Sequence, residues 1–269
     1  MRDSTRELIE AARAELEQYR PMTLRQVYYR LVAGQVLENT LRRYKALGVA
    51  LVKARQEGII PWNWIEDRLR RPRHVSMWDD LADFAETAAR AYRRDVWATQ
   101  PDYLEVWLEK DALSGVFEQV LGRYGITLNV GRGYDSWSSI QEAAQRLDSA
   151  TVFHFGDFDP SGVDMVRSLE QRLGFFGCYP EIVKVALTLE DIERYDLPPA
   201  MAKRTDSRTP AFVAKYGDVS VELDALPPSV LGQRLETTVC ERLDMDAMSD
   251  VWEQEKLERQ ALKGALRDM

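Results

Sequence analysis

From Asp102 to Leu187 the sequence alternates short apolar, β-branched runs with longer amphipathic stretches, and this rhythm constrains the fold more than any other feature. Strands are expected at 103–108, 126–130, 151–155 and 181–187, with helices at 113–123, 138–147 and 162–173 between them. Strands joined through helices run parallel, because a tight turn can only reverse the chain. The spacing therefore predicts an α/β domain around a mostly parallel sheet. Ligands of such sheets collect beyond the carboxyl ends of the strands, where the loops leave room and helix N-termini point inward.

Before this region lies a different pattern. Leu8, Ile9, Ala12 and Leu16 share one side of a helix over 5–19 that Pro21 ends. Thr23 with Gln26 makes a capping-box start for a short helix, Leu24–Ala33, that Gly34 stops. A third helix opens at Asn39 or Thr40 and runs to Gly58, expected to bury Leu41, Tyr44, Gly48 and Leu51 and to leave Arg42, Arg43 and Lys53 free. Helix, tight turn and basic helix form a helix-turn-helix pattern, with 59–65 as the wing of a winged helix, although three stacked helices of any function look similar. The expected division is a winged-helix DNA-binding domain over 1–98 and a sheet domain over 99–269. The latter closes with a polar irregular stretch at 198–216, an edge strand at 219–223 and helix over 231–266, broken near Asp244.

Charge follows the same division. The net charge is −8, yet 20–73 carries twelve Lys or Arg against four acids, so that segment is +8 and the remainder −16. The basic segment, with Arg42, Arg43, Lys53, Arg70, Arg71 and Arg73, suits a nucleic-acid face, and the acidic remainder suits divalent metal. Solvated charge on both halves is the plainer reading. Cys178 and Cys240 stand far apart without a CxxC partner, so neither a disulfide framework nor a zinc site is suggested, and a reducing cytoplasm is the expected home. The polar start MRDSTRELIE has no signal-peptide core, no apolar run is long enough for a membrane span, and no GxxxxGK[ST] appears.

Acids follow the strands directly. Glu109 comes after the first, and Asp157 and Asp159 come after the third, in GDFDPSG. The two aspartates of the D-x-D turn can converge on one hard cation, and Pro160 and Gly162 let the chain turn sharply into the next helix. Mg²⁺, with Mn²⁺ able to substitute, is the expected cofactor. Acids at strand ends also serve as helix caps, so the pattern is open between the two uses.

WLEKDAL at 107–113, GRGY at 131–134, GDFDPSG at 156–162 and VELDAL at 221–226 resemble the Toprim motifs of the DNA topoisomerase VI A subunit and of its relative, the meiotic double-strand-break transesterase. In length the chain is similar to the compact Mini-A, topoisomerase VIII-like group. The resemblance implies a Toprim domain in which Glu109 handles protons at the 3′ oxygen and, with Asp157 and Asp159, binds metal. It further implies a nucleoid-associated homodimer that cuts and religates double-stranded DNA, the tyrosine of one protomer meeting the acids of the other. A separate ATPase subunit of the B type would be needed for strand passage.

The same family carries its nucleophile in a motif of the form Arg-acid-aliphatic-aromatic-Tyr, which Arg25-Gln26-Val27-Tyr28-Tyr29 resembles. Helix geometry separates the two tyrosines. Leu24, Val27, Tyr28 and Leu31 fall on one apolar face, so Tyr28 is expected in the core. Tyr29 is expected to be exposed and to share a face with Arg25, whose guanidinium would ease formation of the phenolate. The resemblance gives Tyr29 the nucleophile's role, through a 5′-phosphotyrosyl link, and Arg25 a phosphate. Gln26 departs from the family's acid. A hydrolytic nuclease using metal-activated water and a DNA-binding module without turnover are the alternatives. Arg132 in the GRGY loop is a further phosphate contact, Lys203, Arg204 and Arg208 lie on a polar loop, and Glu222 and Asp224 extend the acid cluster. His74 belongs with the basic face and His154 with a buried strand. The stripe of Leu257 with Ala261 and Leu262 with Leu266 faces a partner subunit or its own domain.

Overall fold

The computed structural model describes residues 3–65, 75–131, 136–199 and 206–267. Arg70, Arg71, Arg73, His74, Arg132, Lys203 and Arg204 lie outside the described residues. Helices α1 (Asp3–Tyr19), α2 (Leu24–Ala33) and α3 (Leu41–Gln56) form the N-terminal part. The α2 start is the expected capping box: the Thr23 hydroxyl accepts from Gln26 N–H, and the Gln26 side chain accepts from Thr23 N–H at 2.7 Å. Gln26, which stands where the resembled family has an acid, is buried and committed to this cap.

The α3 helix starts on Thr40 as expected, but its buried face is Leu47, Ala50, Leu51 and Ala54, and Leu41 is 56% exposed. Of the expected face Leu51 is buried, Tyr44 meets Tyr28 of α2 edge-on at 5.2 Å and Gly48 is half-buried, so only Leu41, at the helix start, departs from it. Arg42, Arg43 and Lys53 are exposed, Arg43 facing Glu38 at 3.6 Å and Lys53 facing Glu57 at 3.7 Å. The stretch expected as a wing contains a single 3-10 turn, Trp62–Trp64, and one parallel bridge from Ile65 to Met22. Pro61 at its start removes a ladder donor, and the two indoles pack under arginines instead: Arg20 lies over Trp64 and Arg55 over Trp62. A helix absent from the expectation, α4 (Leu81–Ala91), follows, capped by Asp80.

The sheet is entirely parallel, β2-β1-β3-β4, from β1 (Leu104–Leu108), β2 (Thr127–Val130), β3 (Thr151–Phe155) and β4 (Glu181–Ala186). The helices α5 (Ser114–Leu121), α6 (Trp137–Ala144) and α7 (Pro160–Phe175) make the crossovers. Two further helices, α8 (Leu189–Arg194) and α9 (Thr209–Tyr216), come next, the second within the stretch expected to be irregular. Instead of an edge strand, 219–223 contributes one antiparallel bridge, Val221 to Phe158, before a 3-10 turn at Leu223–Ala225. The C-terminal helices α10 (Pro228–Cys240) and α11 (Met245–Arg267) break where expected, with the Asp244 carboxylate accepting from Asp246 and Ala247 N–H.

Apolar side chains fill both faces of the sheet. One cluster runs without interruption from Ile9 and Leu16 through Tyr28, Val106, Phe117 and Phe155 to Leu235 and Val251, so the N-terminal helices, one sheet face and the C-terminal helices share a core. A smaller cluster, with Trp107, Ile140, Val152 and Leu169, lies under α6 and α7. The architecture is α/β: N-terminal helices, a small parallel sheet and C-terminal helices. No described helix is long and apolar enough to cross a membrane.

Candidate active site

The strand order reverses direction between β1 and β3, and at such a switch point the loops leave in opposite directions and open a crevice. Glu109 and Asp157 flank it. Glu109 N–H donates to Phe155 O at 2.9 Å, which extends the ladder one residue and fixes where the carboxylate begins. That carboxylate then accepts from Asp157 N–H at 2.9 Å. Burial, followed by the charge of Asp157, pushes the Glu109 carboxyl up to about 7. Asp157 is buried, one oxygen accepting from Leu223 N–H at 2.8 Å and the other 2.7 Å from Lys110 Nζ.

The glycines of GDFDPSG are there for space. A Cβ on Gly156 would stand 2.8 Å from Glu109 Oε2 and 2.6 Å from His154 Cε1, and one on Gly162 would overlap the Asp157 carbonyl. Asp159 takes the capping role: Oδ1 accepts from Gly162 N–H at 2.6 Å, with Pro160 in the first turn of α7.

Glu222 and Asp224 join the cluster through the bridge that pins 221 to the end of β3. Lys110 Nζ, 3.0 Å from Glu222 Oε2 and 3.8 Å from Asp224 Oδ1, sits among three carboxylates. Arg25 reaches the same place from α2, pairing with Glu222 and lying 2.8 Å from Asp224 Oδ2. The Asp224 side chain is wholly inaccessible, and neither oxygen has a hydrogen-bond partner, so its charge is balanced by ion pairing alone. On the other side Lys184 Nζ donates to Asp157 O at 3.0 Å. Burial lowers this ammonium from the ordinary lysine value, against the opposing charges of Glu109, Asp157 and Asp159.

Tyr29 stands beside this cluster, and it is buried, 2% exposed, where the wheel reading expects exposure. The face carrying Arg25 and Tyr29 packs against the turn at Leu223–Ala225, about 195 residues away in sequence. Burial first, and the charge of Asp224 next, raise the Tyr29 phenol above its ordinary value, and Arg25, 5.9 Å from the ring, opposes them. Tyr28 is core as expected, its hydroxyl donating within the 38–40 turn. Tyrosine and acids meet here within one chain.

The donor set fits a hard divalent cation: carboxylate oxygens in a partly buried cluster, two of them on Asp224 without hydrogen bonds. As the side chains stand, no three Asp, Glu, His or Cys among the described residues converge closely enough to ligate one. Lys110 Nζ stands among Asp157, Glu222 and Asp224 instead. Sequence reasoning passed over Lys110 and Lys184; a lysine directly after a strand-end acid was the signal for the first.

The chain matches no protein-family model and no curated protein. The resemblance to the Toprim families therefore rests on the sequence motifs alone. Of the residues singled out from sequence, the fold brings Arg25, Tyr29, Glu109, Asp157, Asp159, Glu222 and Asp224 to one crevice. Arg42, Arg43 and Lys53 stand apart on α3.

Proposed function

We propose that this crevice is a Toprim-type site for divalent-metal-dependent cleavage of duplex DNA, with Tyr29 as nucleophile and the N-terminal helices serving as a winged-helix-like DNA-binding part. One observation carries the reading. Arg25, four residues before Tyr29 on α2, is ion-paired to Asp224, next to the Leu223 N–H that binds Asp157, so an N-terminal helix and the strand-end acids form one site.

In the proposed reaction the Tyr29 hydroxyl passes its proton to an ionised carboxylate of the crevice, its oxygen attacks phosphorus, a 5′-phosphotyrosyl bond forms, the bond to the 3′ oxygen breaks, and that oxygen takes up a proton. Glu109, half protonated near neutral pH, is suited to deliver the proton and to recover it on religation. Arg25 lies where it can bind the attacked phosphate and hold the phenolate. Asp157, with Glu109, Glu222, Asp224 and the uncapped side of Asp159, would hold Mg²⁺ or Mn²⁺. The ion supplies charge neutralisation at the phosphate. A homodimer and a separate ATPase subunit belong to the same proposal, as does a place in the cytoplasm with the nucleoid.

The burial of Tyr29 favours one second reading, in which water attacks and Tyr29 is structural. Incubation of the protein with labelled duplex and Mg²⁺ or Mn²⁺, followed by denaturation, separates the two. Tyrosyl transfer gives a covalent protein–DNA adduct that Tyr29→Phe abolishes, whereas hydrolysis gives free ends that survive the substitution. If neither product forms with either metal, and Glu109→Gln binds DNA as wild type does, the chain is a binding module.

A further inference from the structure

Beside Glu109 the sheet carries a second feature that the proposed reaction does not use. A cavity of about 30 Å³ is lined by Glu109, Asn129, His154, Ser168 and Arg172. It has room for one or two waters and none for a nucleobase. Such a water would serve His154 Nδ1, which is buried without a hydrogen-bond partner. Arg172 leads outward from this cavity: its guanidinium lies 4.7 Å over the ring of Trp137 and makes no ion pair among the described residues. Trp137, 53% exposed, meets Phe175 edge-on at 5.3 Å and Phe176 at 6.0 Å, and Phe175 is itself 74% exposed. Three large aromatic rings are thus held against one another at the surface beside a cation that has no ion pair among the described residues.

We propose that Trp137, Phe175 and Arg172 form a stacking platform for an unpaired nucleotide, so that the strand engaged at Glu109 is locally single-stranded or has a base turned out. The inference rests on the proposed nucleic-acid chemistry of the crevice and names its substrate more narrowly. Exposed rings suit a base because every base has a π-face, and a duplex shows that face only at its end or where a base leaves the stack. An unpaired arginine suits the accompanying phosphate. A purely apolar protein partner would leave that guanidinium without a counter-charge. Arg172 touches both the platform and the Glu109 cavity, so a base on Trp137 places its strand beside the acids.

The test uses the full chain in EDTA, which removes the metal that the proposed cleavage needs, and fluorescence anisotropy of a labelled 15-mer of dT and a blunt 15-bp duplex. Trp137→Ala and Phe175→Ala remove exposed rings, so both should fold, as circular dichroism would verify. Each is expected to weaken dT binding about tenfold, within the range for loss of one stacked base, and to change duplex binding less than about twofold. Arg172→Gln should lower the salt dependence of dT binding by nearly one ion. Equal binding of dT by variants and wild type overturns the platform, as does an equal loss for dT and duplex. Loss of self-association at unchanged dT affinity would make the patch a protein contact and also overturn it. A parallel plasmid-cleavage assay keeps the two ideas apart. Trp137-dependent dT binding without wild-type cleavage sinks only the cleavage reading, and cleavage with Trp137-independent dT binding sinks only the platform.

Discussion

The ion pair between Arg25 and Asp224 holds the tyrosine-bearing helix to the acids, and a double-mutant cycle measures how firmly. Asp224 is wholly inaccessible, while the Arg25 side chain is 40% exposed and has Glu222 as a second partner. Removing one member of a fully buried pair costs about 3–5 kcal/mol; solvent around Arg25 screens the interaction and reduces this. Asp224→Asn leaves Arg25 with Glu222 and should cost about 2 kcal/mol. Arg25→Met keeps the stem beside Tyr29 but leaves Asp224 with Lys110, 3.8 Å away, as its remaining cation, and should cost about 3 kcal/mol. The double variant should cost less than the sum by about 2 kcal/mol, because each change removes the reason for the other's penalty. Urea melts at several protein concentrations give these values, and each kcal/mol corresponds to about 2–4 °C in Tm for a domain of this size. A coupling below about 0.5 kcal/mol would refute the pair. A coupling that grows with protein concentration would show that the partners belong to different chains.

Other consequences can be read from the same crevice. Burial, with the charge of Lys184 adding to it, depresses His154 to about 3, so the folded state refuses a proton that the unfolded chain takes up below about 6.5. Stability should therefore fall as pH drops through that window, by about 2–3 kcal/mol between pH 6.5 and 4.5, and urea melts of His154→Leu should show that much less loss. Gly162→Ala drives a Cβ into the Asp157 carbonyl, which cannot move aside, and should cost more than about 3 kcal/mol or prevent soluble expression. Gly156→Ala meets the buried His154 ring at 2.6 Å as well as the end of Glu109 at 2.8 Å, and should both lower the melting temperature and weaken Mn²⁺ binding, read by calorimetry. Lys110→Met removes the ammonium from among Asp157, Glu222 and Asp224, and a chelated sample should melt several degrees lower than wild type. Millimolar Mn²⁺ should restore more stability to this variant than to wild type. Equal restoration would mean that Lys110 and the metal do not compete.

What the sequence made legible was local. The Thr23–Gln26 box, the strands of the parallel sheet, the proline-led start of α7 and the break before α11 each depend on residues a few positions apart. The acids at the strand ends were legible for the same reason, since strand ends locate them. The long-range parts were not. Tyr29 looked exposed because the turn that covers it comes from 223–225, and nothing near Tyr29 announces that turn. The expected edge strand at 219–223 failed because its single bridge serves to hold Glu222 and Asp224 in place, not to lengthen the sheet. On α3 the period placed Tyr44, Gly48 and Leu51 on the packed side but not Leu41, because how far a packed face extends is set by which neighbours reach the helix.

Far from the crevice, α11 lies along α4, with the Glu258 carboxylate accepting from Tyr92 and pairing with Arg94, while Arg259 donates to Tyr92 O at 2.8 Å. Arg94 N–H also donates to Glu255 at 2.9 Å. These residues splint 90–95, the passage from helices to sheet, with side chains about 160 positions later. During synthesis the passage stays unbraced until 255–259 have left the ribosome. A nascent chain can therefore pair its strands before that brace exists, and the passage at 90–95 gains it only once 255–259 have been made.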